Sequence, residues 1–372
     1  MALSIFADAL PYSEIIKNYG QRFDTVKIAP LLPNVGYSSS LHWQLYCNKY
    51  PDKRGVFVDW AVGNEKHTGV KLISRLLQPL DKCGDLGMYT KKVLDRLVFR
   101  RNAFANIPFR FRRKFTEQGL YLFWDKNVYG NEEIFANYHV ISQDEGHISF
   151  EHAISKIQEA ISEGYKNIFF NTGFADAIGH TCARGDKYSE ILKPYMEVLC
   201  SVIKEYMRVN PDESVIIVSD HGMSTINNRI DLGLETFFGQ QSEDTYIAYS
   251  DSAIMCIWCK DKSLLEPITD FLTSKEEGHL LSEDERLFYG VTDRKFGDLI
   301  FNLKEGYVFE NNWFGKSVKG PGPNGEGMHG FWPSLEAKDQ LAMIMLINND
   351  EDLMEVYNYR QAHELIKKIM QK

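Results

Sequence analysis

The chain has 372 residues, 44% of them apolar, enough for one large α/β domain with insertions or for two domains, and not the composition of a disordered polypeptide. Its formal charge of -9 argues against nucleic acid as a general partner. The six cysteines follow no framework spacing, no basic region precedes a long apolar stretch at the amino end, and no run is long enough to span a bilayer, so the expectation is a cytoplasmic protein with reduced thiols.

In chain order, Leu3-Ser-Ile-Phe-Ala7 reads as a strand ending in Asp8, residues 11–19 as a helix, and Val26-Lys-Ile-Ala29 as a second strand. Pro30, Pro33, Asn34 and Gly36 predict a loop leading into Ser38-Ser39-Ser40. Residues 41–47 are then helical until Tyr50-Pro51-Asp52-Lys53-Arg54-Gly55 stops them. From about Ile73 to Phe135 the alternation of strands and helices breaks. Within this stretch, residues 95–115 carry seven basic residues and one acidic one, interleaved with Phe99, Phe104, Phe109, Phe111 and Phe115. We read 73–135 as an insertion able to fold as a cap. Its basic residues could grip a phosphate or simply form a solvated surface.

Alternation resumes with a helix at 152–162, a strand at Asn167-Ile-Phe-Phe170 and a long helix at 188–207, which Pro194 could kink near its start. Residues 232–298 read as a small α+β insertion, with strands at 246–249 and 253–259 and a helix at 263–273. Strands at 299–302 and 341–347 and a helix at 361–370 close the chain. Cys256-Ile-Trp-Cys259 falls within a strand, where residues three apart point to opposite faces, so it reads as packing rather than as a metal or redox pair.

The chemistry concentrates at Asp220-His221-Gly222. These residues follow Ser214-Val-Ile-Ile-Val-Ser219, a β-branched run typical of a buried parallel strand. A carboxylate and an imidazole at the carboxyl end of such a strand lie where open α/β sheets build ligand sites, and the pair suits zinc or a similar ion. Gly222 is expected to let the backbone turn away. Asp176-Ala-Ile-Gly-His180 follows another strand; Gly173 and Gly179 favour a loop there, which would present both side chains to one point. His329 stands between Gly327 and Gly330 in a stretch that begins Gly320-Pro-Gly-Pro-Asn-Gly, and alone would be a turn histidine. Asp8 alone would be a turn or N-cap carboxylate, and Ser40 an N-cap. A metal ion could activate a serine hydroxyl here without a histidine base.

Taken in order, strand-Asp, helix-start serine, Asp-x-x-x-His, Asp-His-Gly and His-Gly resemble the alkaline phosphatase superfamily, most closely its type I phosphodiesterase/nucleotide pyrophosphatase branch. The resemblance spans Asp8 to about Ile347, apart from 73–135. It implies a three-layer α/β/α sandwich around a mostly parallel sheet, as one catalytic domain carrying the 73–135 and 232–298 insertions. It places the nucleophile thirteen residues before the proline of a Tyr-Pro-x-x-x-Gly turn, which from Pro51 reaches Ser38, with Ser39 and Ser40 as alternatives. The family has Thr-x-Pro-Asn where this chain reads Ser-Ser-Ser-Leu, and the Pro-Ser-Arg context of sulfatases is missing. By resemblance, one divalent ion is held by Asp176, His180 and His329 and a second by Asp8, Asp220 and His221 with Ser38, zinc first and manganese as a substitute. The implied activity is hydrolysis of a small phosphate ester, a diester in the first reading, through a phosphoseryl intermediate. Monoester hydrolysis, a cofactor-independent phosphomutase and a catalytically silent metal-binding protein are the alternatives. The oligomeric state is left open.

Overall fold

The computed structural model describes residues 2–371 apart from 59, 64–67, 95–96, 98–106, 118–131, 144–148, 183–184 and 311–325. Ten strands form its two larger sheets. In chain order they are Ala2–Ala7 (β1), Val26–Leu31 (β2), His139–Ser142 (β3), Ile168–Thr172 (β4), Ser214–Val218 (β5), Tyr246–Asp251 (β6), Ile254–Cys259 (β7), Gly278–Leu280 (β8), Leu299–Leu303 (β9) and Ala342–Ile347 (β10). The central sheet runs β2-β10-β5-β1-β4-β3. Its pairs are parallel except those of β10, which is antiparallel to both β5 and β2.

Successive residues of a strand face opposite sides, so the unbroken apolar runs of the central strands feed two separate cores. Leu3, Ile5, Ile168, Phe170, Val215, Ile217, Met343 and Met345 point to one face. They pack there under Tyr12–Asn18 (α1), Phe150–Ser162 (α3), Phe174–Thr181 (α4) and Asp186–Val209 (α5). Phe6, Phe169, Ile216, Val218, Ile344 and Leu346 point to the other face, under Ser38–Cys47 (α2) and Tyr359–Met370 (α6). Each such side chain contributes about 1.5–3 kcal/mol on burial. The result is the three-layer α/β/α sandwich around a mostly parallel sheet.

Strand β2 continues to Leu31 through Pro30, where a loop was expected. Proline is tolerated there because β2 is an edge strand, and Pro30 keeps its carbonyl free to accept from Tyr357 N at 3.0 Å. Pro194 lies inside α5, in its first half. The second sheet, β6-β7-β9-β8, is antiparallel throughout. It takes in Leu299–Leu303, beyond the 232–298 bounds read from the sequence. Phe111 and Phe115 are buried in the core of this second sheet, together with Trp60 and Ile107. Three basic residues of this run pair with the same unit, Arg113 2.7 Å and Lys114 3.3 Å from Glu243 and Arg110 3.6 Å from Glu235, while Arg112 lies over the Trp60 ring. Phe99, Phe104, Arg100 and Arg101 lie outside the described residues. Cys256 and Cys259 are both buried, and all six cysteines are free thiols. Among the described residues no helix is long and apolar enough to cross a membrane.

Candidate metal centre

The parallel strands deliver their following residues to one edge of the sheet. β1 runs into Asp8, whose backbone N donates to Thr172 O at the end of β4 (2.9 Å). β5 runs through Ser219 into Asp220 and His221, and beyond β4 the chain enters α4, which carries Asp176 and His180. A helix therefore stands where a loop was expected, and the (i, i+4) spacing puts both side chains on one of its faces. Glycine is needed at 179 for proximity rather than for a turn: a Cβ there would lie 2.5 Å from Met223 Cγ. Gly222 likewise has no left-handed backbone. Its role is close approach, since a Cβ would meet the Asp339 carbonyl at 2.1 Å. A short antiparallel ladder pairs Gly327–Met328 with Ser224–Thr225, which sets His329 beside the Asp220-His221 turn. The Gly320-Pro-Gly-Pro-Asn-Gly stretch lies outside the described residues.

Helix α2 opens at Ser38, after Tyr37 as N-cap. Ser38 Oγ is 2.9 Å from His221 Nε2 and 3.2 Å from Asp8 Oδ1. Ser40 is not the cap: it lies inside the helix, where its Oγ donates to Tyr37 O (3.1 Å), while Ser39 Oγ is buried without a hydrogen-bond partner among the described residues. The positive end of the α2 dipole thus lies at the cluster, where it favours negative charge.

Three carboxylates and three imidazoles converge around this hydroxyl. His221 Nε2 is 3.4 Å from Asp8 Oδ1 and 3.3 Å from Asp220 Oδ2. Asp176 Oδ1 is 3.2 Å from His180 Nε2 and 3.6 Å from His329 Nε2. The rings of His221 and His329 stack at 3.7 Å. Among the described residues, two groups each bring together one ligand atom per residue, all within 4.8 Å of one another: Asp176, His180 and His329, and Asp8, Asp176 and His221. Asp176 belongs to both. Asp220 is in neither group but stays beside His221; its Oδ1 accepts from His221 N and Ala9 N, at 3.0 and 3.4 Å.

The donor set fits a divalent cation. His180 Nδ1 lies 3.1 Å from Gly327 O and His221 Nδ1 2.9 Å from Gly222 O. A carbonyl can only accept, so these nitrogens carry the protons and each Nε2 turns a lone pair toward carboxylate oxygen. Acceptors facing acceptors call for a cation or a proton between them. Asp176 Oδ1 and Asp220 Oδ2 are correspondingly buried with no hydrogen-bond donor among the described residues. Burial alone would raise the Asp176 carboxyl, but His180, His329 and His221 outweigh it and hold it well below the usual carboxylate range. Burial works to lower His180, yet Asp176 leaves it raised; burial and then His221 push His329 well below an ordinary imidazole.

Sequence reasoning missed the groups that aim these ligands. They are the two glycine carbonyls, and Tyr359, whose hydroxyl donates to Asp220 O. Main-chain acceptors leave no residue-type signal, and Tyr359 was read as preceding its helix.

No protein-family model matches the sequence, and no curated protein does. Solved structures do. Murine ectonucleotide pyrophosphatase/phosphodiesterase 5 is 12% identical at a TM-score of 0.62, covering 100% of this chain and 95% of that one. An inactive variant of the murine protein in complex with AMP gives 12% and 0.62, with 99% and 94% covered. The human protein gives 13% and 0.62, with 100% and 95% covered. The chain therefore shares the fold of these ectonucleotide pyrophosphatase/phosphodiesterase structures.

Proposed function

We propose that the chain is a metal-dependent phosphoric ester hydrolase, a phosphodiesterase in particular, with Ser38 as nucleophile and two divalent cations held by Asp8, Ser38, Asp176, His180, Asp220, His221 and His329. Zinc suits the nitrogen and oxygen donors best, and manganese is a substitute. The reading rests above all on one observation: Ser38 Oγ lies 2.9 Å from His221 Nε2, at a helix N-terminus, inside a cluster of carboxylates and imidazoles whose buried acceptors include two without a donor among the described residues.

Bound cations would supply Lewis acidity, lowering the pKa of the serine hydroxyl and offsetting charge on the phosphoryl oxygens. The residues do the rest. Ser38 Oγ attacks phosphorus from the end of α2, where the helix dipole favours the anionic group. His221 Nε2 and Asp8 Oδ1 are the acceptors within reach of its proton. The bond from phosphorus to the leaving oxygen breaks as a phosphoseryl ester forms, and water then cleaves that ester. Two in-line displacements retain configuration at phosphorus.

A monoester would need extra positive groups for its additional charge. Among the described candidates, Arg110, Arg113 and Lys114 are already paired with Glu235 and Glu243, and Arg112 is buried with its guanidinium over the Trp60 ring, which favours a diester. The AMP complex of the murine structure supports a substrate of nucleotide size. We further propose one catalytic domain with 73–135 and 232–298 as insertions, and a cytoplasmic setting, with which six free thiols agree.

The test is Ser38→Ala against a chromogenic phosphodiester, with a monoester and a sulfate ester in parallel. Turnover should fall at least about a thousandfold while zinc stays bound. Normal diester hydrolysis by this variant would remove Ser38 from the mechanism, and absence of zinc from the parent protein would remove the metal centre.

A further inference from the structure

Two of the three clustered imidazoles are aimed by a main-chain carbonyl on Nδ1; the third is not. His329 Nδ1 is buried and has no hydrogen-bond partner among the described residues. Its ring is instead held by packing, face to face with His221 at 3.7 Å and edge-on to Tyr37 at 5.7 Å. The Tyr37 ring also abuts the next residue: Gly330 has φ +80°, and a Cβ there would lie 2.6 Å from Tyr37 Cε1.

Tyr37 is in turn fixed from the second sheet. Its hydroxyl accepts from Ala253 N at 3.2 Å and donates to Asp251 O. These residues form the tight turn joining β6 to β7, with Ser252 in the left-handed region at φ +48°. Asn302, fully buried on β9, reaches the same turn, with Nδ2 donating to Ala253 O (3.1 Å) and to Gly330 O (2.8 Å). One three-residue turn therefore ties together the residue before Ser38 and the residue after His329, two elements that come from opposite ends of the chain.

We infer that Tyr37 and Asn302 are positioning residues, through which the 251–253 turn of the second sheet sets the orientation of His329 and the spacing between His329 and Ser38. This rests on the reading of the cluster as a two-metal centre. The second sheet would then be part of the site's architecture rather than an appendage to it.

The test is Zn²⁺ affinity, measured by competition with a chromophoric chelator in the parent protein and in Tyr37→Phe, Tyr37→Leu and Asn302→Leu. Thermal melts of the metal-free forms serve as the folding control. Groups that orient metal ligands typically cost 10- to 100-fold in affinity when removed. Tyr37→Leu and Asn302→Leu should each weaken one of the two ions by at least about tenfold and leave the other within about threefold. Tyr37→Phe keeps the ring on His329 and loses only the tie to the turn, so it should fall between the parent and Tyr37→Leu. A general loss of structure would lower both ions together and would not be relieved by the phenylalanine. If the parent binds two ions and all three variants bind both within about twofold of it, the inference is overturned while the metal centre stands. Equal weakening of both ions in Tyr37→Phe also overturns it. If the parent binds none, the metal centre itself fails and the inference with it.

Discussion

The shared position of Asp176 makes a prediction that separates this site from two independent ones. Asp176 is in both ligand groups, whereas Asp8 is in one. Asp176→Asn keeps the shape and removes the charge. At an effective dielectric of about 20, a carboxylate and a unit positive charge about 3 Å away interact by about 5 kcal/mol. The side chain retains 27% of its exposure, so solvent screens part of this, and we take about half. That is about 2.5 kcal/mol, or nearly two decades in affinity. Two-site competition titration with Zn²⁺ at pH 7 should show both ions weakened about 50- to 100-fold in Asp176→Asn, but only one strongly weakened in Asp8→Asn. If Asp176→Asn weakens a single ion, or if the two variants behave alike, Asp176 does not bridge the groups and the argument from its position is wrong.

Three further outcomes follow from the geometry. Gly222→Ala forces a Cβ against the Asp339 carbonyl, which is backbone and cannot rotate aside; the melt should show a loss of about 1–3 kcal/mol, with reduced zinc content because His221 moves. Saturating zinc should raise the melting temperature over that in chelator by several degrees, since ligand at a hundred times its Kd adds about 2.7 kcal/mol, and no shift would contradict a native-state metal site. Glu285 caps its helix through Ser282 and contacts His279 at 2.9 Å. Burial raises its carboxyl, but the His279 and Ser282 bonds outweigh that and leave it below its ordinary value. A depressed carboxylate stabilises the fold above its unfolded pKa and ceases to do so as pH falls through the folded one. Glu285→Gln should therefore cost about 1 kcal/mol at pH 7 and almost nothing near pH 3, and an equal cost at both would refute the assignment.

Much of this was legible in the residues because buried parallel strands are written as continuous apolar runs. Asp8, Asp176 and Asp220 follow three such runs, and their convergence at one sheet edge follows from the strands being parallel. The elements that were misread depend on distant partners. Gly179 and Gly222 carried the signature of turns, but their surroundings are Met223 and the chain at Asp339, which local sequence does not announce. Ser40 looks like a cap, yet Tyr37 takes that place because its ring and hydroxyl are anchored from residues 251–253 and 330. The basic run at 110–114 could be read either as a phosphate grip or as a solvated surface because Glu235 and Glu243 lie more than a hundred positions away.

The order of the central sheet bears on how the protein is made. Strand β1 sits between β4 and β5, both of which follow it in the chain, and has no partner strand in the sheet until residues 168–172 and 214–218 have been synthesised. His329 and the β10 strand arrive later still. Until those residues emerge the nascent polypeptide thus holds an apolar segment with no strand to pair against, and the full cluster of carboxylates and imidazoles forms only after His329 has been added.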